Sequence, residues 1–181
     1  MNRTWMLTAL GKDQPGIVAG VTTILYERGC NLEDSAMSRL AGEFAIMLVF
    51  CAPGRLSQAK LERAFRGLSH QLNLVTHLKA LTGAERVSPR AGRPYLLSVY
   101  GADRPGIVSR VSTLLARLNV NITDVSTHRT RATAAKPLYL MVLDIELPSR
   151  LSANRLEQRL RALAKLLGVR VSLRSAEAHL L

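Results

Sequence analysis

Asp13 and Asp103 each stand two residues ahead of the same four letters, Pro15-Gly16-Ile17-Val18 and Pro105-Gly106-Ile107-Val108. A carboxylate beside a Pro-Gly turn that opens a helix brings complementary binding groups together. The helix N-terminus supplies unpaired N–H groups and partial positive charge, which hold an anion. Gly16 and Gly106 have no side chain to keep a ligand away from the backbone. The aspartates can accept hydrogen bonds from an ammonium, and the amides of Asn31 and Asn121 offer donors and acceptors. A free amino acid carries one carboxylate and one ammonium, the pair of groups such a set would hold. The same aspartates have a structural alternative, in which they cap the helix or pair with a nearby arginine, and the two asparagines can equally serve a turn or strand start.

Other chemistry finds little support. The four histidines, His70, His77, His128 and His179, are dispersed and fit neither metal-ligand spacing nor a nucleophile motif. No catalytic residue, metal or cofactor is expected. The only cysteines, Cys30 and Cys51, are too few for a disulfide framework or a four-ligand zinc site and read as buried small hydrophobes.

The elements that must position these residues are written twice. A shift of ninety positions pairs Gly11 with Gly101 and continues through Val21 and Val111, Leu25 and Leu115, Asn31 and Asn121, and Asp34 and Asp124. The second copy then gains five residues, so that Pro53 pairs with Pro148 and Leu61 with Leu156 at a shift of ninety-five. Such self-similarity divides the chain into residues 1–82 and 95–181, with the polar, Gly- and Pro-containing stretch 83–94 as linker.

Each copy alternates its hydrophobic periods in one order. "TWMLTAL" and "PYLLSVY" alternate as strands do; Ile17, Val21, Ile24 and Leu25, like Ile107, Val111, Leu114 and Leu115, recur at helical spacing. Proline just inside the start suits a first helical turn. Two strands follow, "NLEDSAMSRL" and "EFAIMLVFCA" around Gly42, matched by "NITDVSTHRT" and "PLYLMVLDIEL". Ser57 and Ser152 are expected to cap a second helix, with Leu56 and Leu61, or Leu151 and Leu156, stapled across the cap. Short strands, "LNLVTHLKAL" and "GVRVSLRSA", close the copies. The order strand-helix-strand-strand-helix-strand predicts an α+β chain of two ferredoxin-like βαββαβ domains, each an antiparallel sheet with both helices on one face.

The 181 residues carry 25 Lys and Arg against 13 Asp and Glu, a formal charge of +12. This excess invites a nucleic-acid reading, yet the arginines are scattered without a dense run and no helix-turn-helix, zinc or aromatic stacking pattern accompanies them. A solvated basic surface is the simpler reading. The inserted hairpin "HRTRATAAKP", with Arg129, Arg131 and Lys136, is the best local candidate for an acidic partner, beside the plainer reading of a solvated loop. No apolar run approaches the roughly 18 residues of a membrane span and the N-terminus has no signal-peptide pattern, so a soluble, cytoplasmic protein is expected.

The Asp-x-Pro-Gly-Ile-Val turn, with Asn about fifteen residues later at the start of the second strand, resembles the ACT domain. The resemblance spans nearly the whole chain apart from the linker and the ends. It implies a non-catalytic regulator that binds a small amino acid, glycine being the first candidate, and acts through a protein such as a transcription factor. It also implies a ligand held between the first loop of one domain and the asparagine of its neighbour. That groups Asp13, Gly16 and Ile17 with Asn121, and Asp103, Gly106 and Ile107 with Asn31. Some amino-acid-binding members have Asn where Asp13 and Asp103 stand here. Direct nucleic-acid binding and a ligand-free interaction module are the alternatives. An open edge of the second strand could pair within the chain or between two chains, and a homo-oligomer is expected.

Overall fold

A computed structural model describes residues 2–82, 92–130 and 138–176. The chain forms two compact units that divide between Ser88 and Pro89. The first contains β1 (Arg3–Lys12), α1 (Ile17–Glu27), β2 (Asn31–Leu40), β3 (Glu43–Ala52), α2 (Gln58–Leu72) and β4 (Val75–Ala80). The second repeats the series with β5 (Gly92–Ala102), α3 (Ile107–Arg117), β6 (Asn121–Thr130), β7 (Leu138–Pro148), α4 (Ala153–Leu167) and β8 (Val169–Ser175). The strand orders are β2-β3-β1-β4 and β6-β7-β5-β8, and all the pairings are antiparallel. Both units are the expected βαββαβ domain.

Alternation places one face of each sheet under its helices. Trp5, Leu7 and Ala9 of β1 are buried with Phe44, Ile46, Leu48 and Phe50 of β3, against Ile17, Val21 and Leu25 of α1 and Leu61 and Phe65 of α2. Leu97 and Val99, with Met141, Leu143 and Ile145, make the same core in the second unit against Val111, Leu115, Leu156 and Leu160. Position along the strand therefore decides burial, so that Leu7 is 1% exposed while Leu10, on the opposite face, is 48% exposed.

Local signals end the helices where their chemistry dictates. Ser57 Oγ accepts from the Lys60 N–H and Ser152 Oγ from the Arg155 N–H, as the sequence predicts. Asn73 and Gly168 terminate α2 and α4 in the left-handed conformation, which relieves the last carbonyls. Pro15 and Pro105 depart from expectation: each helix starts two residues later, with Gly16 or Gly106 as N-cap. The prolines belong to the turn and not to the first helical turn. Gly92 to Pro94, placed in the linker by composition, open β5. Both cysteines are half-buried, not fully enclosed.

Leu7→Ala should destabilise the protein by about 2–5 kcal/mol, the range for deleting a buried leucine. Leu10→Ala should fall within about 0.5 kcal/mol of the parent, since it empties no core site. Urea unfolding of the two variants checks this contrast; equal losses would refute the assignment of the sheet faces.

Candidate functional site

Each repeat enters its first helix through a turn that glycine alone adopts without strain. Gly16 has φ 98 and ψ −13, and Gly106 has φ 92 and ψ −3. These are the angles of the third residue in a type II turn, with proline in its favoured place before it. A Cβ added at Gly16 would meet nothing within 4 Å, and one at Gly106 would meet Arg110 Nε only at 3.9 Å. Glycine is thus required for its backbone angles, and the space beside the turn is open.

That space adjoins uncapped helix ends. Neither N-cap residue makes a side-chain cap hydrogen bond, and neither first turn contains an acidic residue. The helical ladder begins with Gly20 N–H donating to the Gly16 carbonyl at 2.8 Å and Arg110 N–H to the Gly106 carbonyl at 2.9 Å. The N–H groups of Ile17 to Ala19, and of Ile107 to Ser109, precede that ladder. Ile17 and Ile107 have side chains only 2% exposed. What they can offer a ligand is their main-chain N–H.

The aspartates are held by arginines from the second strand. Arg39 Nη1 donates to Asp13 Oδ2 at 3.1 Å, and Arg129 Nε forms an ion pair with Asp103 Oδ2 at 2.9 Å. Arginine pairing, rather than helix capping, is the arrangement in both repeats. Two further ties fix the first loop: Asp13 N–H donates to the Gly42 carbonyl at 2.9 Å, and Gln14 Nε2 donates to the Leu72 carbonyl at 2.8 Å. In the second repeat Arg104 stands at the Gln14 position, with Nη1 3.2 Å from where a Gly168 Cβ would lie. Its charge complements the C-terminal end of α4.

The two turns also differ in a neighbouring ring. Tyr139 pairs with Gly101 and Arg129 across β7, where Phe44 pairs with Gly11 and Arg39 in the first repeat. Burial pushes the Tyr139 phenol above the ordinary tyrosine range, and the nearby Asp103 carboxylate pushes it further. Burial likewise raises the Cys30 thiol, opposed by Arg28, augmented by Cys51 and opposed by Arg55.

Asn31 and Asn121 lie elsewhere. Asn31 opens β2 opposite Cys51, which pairs with Thr4, whereas the turn follows Lys12, which pairs with Glu43. At about 3.3 Å per strand residue this separates Asn31 from its own turn by roughly 25 Å. Asn121 is at the matching place and donates through Nδ2 to Glu146 Oε2 at 3.3 Å. Each repeat therefore groups its Asp, Gly and Ile and leaves its Asn at the other end of the sheet.

Sequence reading missed Arg39, Gln14 and Tyr139 as neighbours of the turn. Arg39 and Arg129 fall in the same ninety-residue register as the aspartates, so a signal for them was present. His128 is exposed, with Nε2 3.1 Å from Ser126 Oγ on its own strand. Of the hairpin cations, Arg129 is engaged by Asp103, while Arg131 and Lys136 lie outside the described residues, as does His179.

Gly16→Ala should destabilise the protein by about 1–3 kcal/mol through backbone strain alone, and Asp13→Asn by less than about 1 kcal/mol because Arg39 is largely exposed. Denaturant midpoints that rank the two the other way would refute this reading of the turn. The Tyr139 phenol should titrate above the ordinary tyrosine range in an alkaline ultraviolet titration, as a component that Tyr139→Phe lacks. Because its folded pKa is raised, the stability it contributes is complete below the unfolded value and lost as pH rises through the folded one.

Comparison with known proteins gives this geometry its kin. ACT-domain models match residues 3–79 and residues 95–168. The chain is 28% identical over 160 residues to the glycine cleavage system transcriptional repressor of Escherichia coli K12, covering 87% of this chain and 82% of that one. It is 32% identical over 75 residues to a UPF0237 protein of Streptococcus mutans, covering 41% of this chain and 85% of that one. A crystal structure of an unknown protein from Galdieria sulphuraria superposes with TM-score 0.82 at 24% identity over 97% of this chain and 99% of that one. A structure provisionally described as a glycine cleavage system transcriptional repressor superposes with TM-score 0.73 at 20% identity, over 96% and 97% of the two chains. Both repeats having matched, the chain belongs to the ACT-domain family, as a tandem pair similar to the glycine cleavage system transcriptional repressor.

Proposed function

We propose that this protein is a non-catalytic regulator that senses a small amino acid, glycine first among them, and passes the bound state to a protein partner such as a transcription factor. The observation that carries the reading is the pairing, in both repeats, of an uncapped helix N-terminus with an aspartate two residues ahead of the turn. The free N–H groups take the ligand carboxylate, and Asp13 or Asp103 takes its ammonium in place of Arg39 or Arg129. The asparagine of another domain, Asn121 or Asn31, completes the shell. Similarity to the glycine cleavage system transcriptional repressor of Escherichia coli supports both the ligand and the regulatory role.

Ligand binding shifts a conformational balance only by binding its two states unequally. Here the ligand displaces an arginine that ties the β1–α1 loop to β2, so the state in which that tie is released is favoured. All ten residues of β2 are exposed at the sheet edge, and pairing along that edge would give a homo-oligomer. The charge of +12 supports direct nucleic-acid binding as a second reading. Its signature is affinity for a labelled duplex that falls steeply with salt.

Thermal unfolding against each of the twenty amino acids at millimolar concentration tests the sensing. A binder at a hundred times its dissociation constant adds about 2.7 kcal/mol of stability. A rise in midpoint with glycine, abolished by Asp13→Ala or by Asp103→Ala, is the expected result and identifies the repeat that holds the site. No rise with any amino acid removes the sensing half of the proposal.

A further inference from the structure

The duplication supplies its own control for the helical faces. In the first repeat α1 and α2 close on one another, and a Cβ added at Gly20 would lie 2.6 Å from Leu68 Cδ1. Glycine lets that leucine seal the seam. Ninety residues on, the position of Gly20 is taken by Arg110, and between α3 and α4 lies a groove of about 390 Å³. Leu114 and Leu163, half-buried against the core, line it, and Leu166 stands at its lip with 78% of its surface exposed.

Arg110, Arg117 and Arg159 also line this groove. None of the three guanidinium groups has an ion-pair or hydrogen-bond partner among the described residues. Their counterparts in the first repeat are Gly20, Glu27 and Ala64, and that of Leu166 is Gln71. An exposed leucine or a solvated arginine is ordinary on its own. Their conjunction in one groove, where the sister repeat is sealed, small or polar, is not explained by folding, because the sister folds without it.

We infer that the α3–α4 groove docks an acidic amphipathic helix of a protein partner. Such a helix presents an apolar row at i, i+3, i+4 and i+7 to the leucines and carboxylates on its flanks to the three arginines. Other occupants fit less well. A nucleic-acid backbone gains from the arginines but nothing from Leu114, Leu163 and Leu166, and a flat membrane surface does not fill a concave seam. A second copy of this chain brings only 13 acids against 25 bases. The inference rests on the reading that the protein acts through a protein partner, and not on amino-acid sensing.

The test uses the full chain and a fluorescently labelled synthetic helix with leucines at alternating third and fourth positions and glutamates on both flanks, measured by anisotropy at physiological salt. Saturable binding is expected, with a scrambled peptide of the same composition weaker by about tenfold or more. Leu166→Gln, which restores the first repeat's residue, and Arg117→Glu should each weaken binding by about tenfold while leaving the thermal midpoint unchanged, since both side chains are exposed. The inference is overturned by absence of saturable binding, by equal affinity for the scrambled peptide, or by indifference to both variants. It is equally overturned if the peptide fails while a duplex, anionic vesicles or self-association on size exclusion responds to Leu166→Gln. Peptide binding without any amino-acid thermal shift would leave the groove standing and the sensing refuted; the reverse would do the opposite.

Discussion

The left-handed backbone at Gly16 and Gly106 is the constraint from which the rest of each domain follows. It turns the chain from the end of a strand into a helix within four residues, and so lets the right-handed crossover begin with the helix already lying over its sheet. Because glycine rather than Ser, Thr or Asp occupies the N-cap, no side chain reaches back to the first N–H groups. One requirement of the fold, a positive φ, thereby leaves a polar backbone end open. The open end is a by-product of the turn, and it occurs wherever the turn does.

Around this shared frame the two repeats diverge at the positions where the frame makes no demand. The buried alternation of β1 and β5 and the serine caps of α2 and α4 are kept, because each is tied to packing or to a helix end. The partner of the second loop changes from Gln14 to Arg104, and both reach the same helix C-terminus by different chemistry, an amide donor in one and a cation in the other. Phe44 becomes Tyr139 without loss of the strand pairing. The helical seam departs as well: Gly20, against which Leu68 packs, is replaced by Arg110, which lines an open groove. Two copies of one fold can thus share a backbone frame while offering different outer surfaces.

Much of this was legible in the sequence because period and register are written in residue types. The strand limits of β2, β3 and β6 follow the hydrophobic pattern to the residue, and Ser57 and Ser152 announce their helices. The prolines misled, since a proline beside a helix start satisfies either the first helical turn or the turn before it, and only the φ of the following glycine decides. Burial of Ile17 was implicit in its helical period, yet its place in the ligand set came from the motif and not from its side chain. Gln14 reaching Leu72 joins elements 58 positions apart, and no local pattern encodes such a contact. Asn31 and Asn121 show the same limit from the other side: their types suggest binding, but strand direction alone puts them at the far end of the sheet.

The energetics of the aspartate decide how a ligand could change anything. Asp13 and Arg39 form an exposed pair, with 71% of the arginine side chain accessible, so their attraction contributes about 0–1 kcal/mol. Exchanging that guanidinium for a ligand ammonium is close to neutral, and the aspartate by itself supplies little affinity. The gain must come from the carboxylate end, where unpaired N–H groups and the helix dipole meet an anion. Selectivity between states then follows from the cheapness of the exchange. A strong, buried Asp–Arg pair would oppose an incoming ammonium by several kcal/mol, whereas this exposed one opposes it by at most about 1 kcal/mol. The Asp13 N–H donates to the Gly42 carbonyl at 2.9 Å, a tie between the loop and the β2–β3 turn that does not involve the arginine. Coupling energies between sites typically span about 1–3 kcal/mol, and losing a tie of at most about 1 kcal/mol reaches only the low end of that range. A larger response would need interactions beyond this one pair.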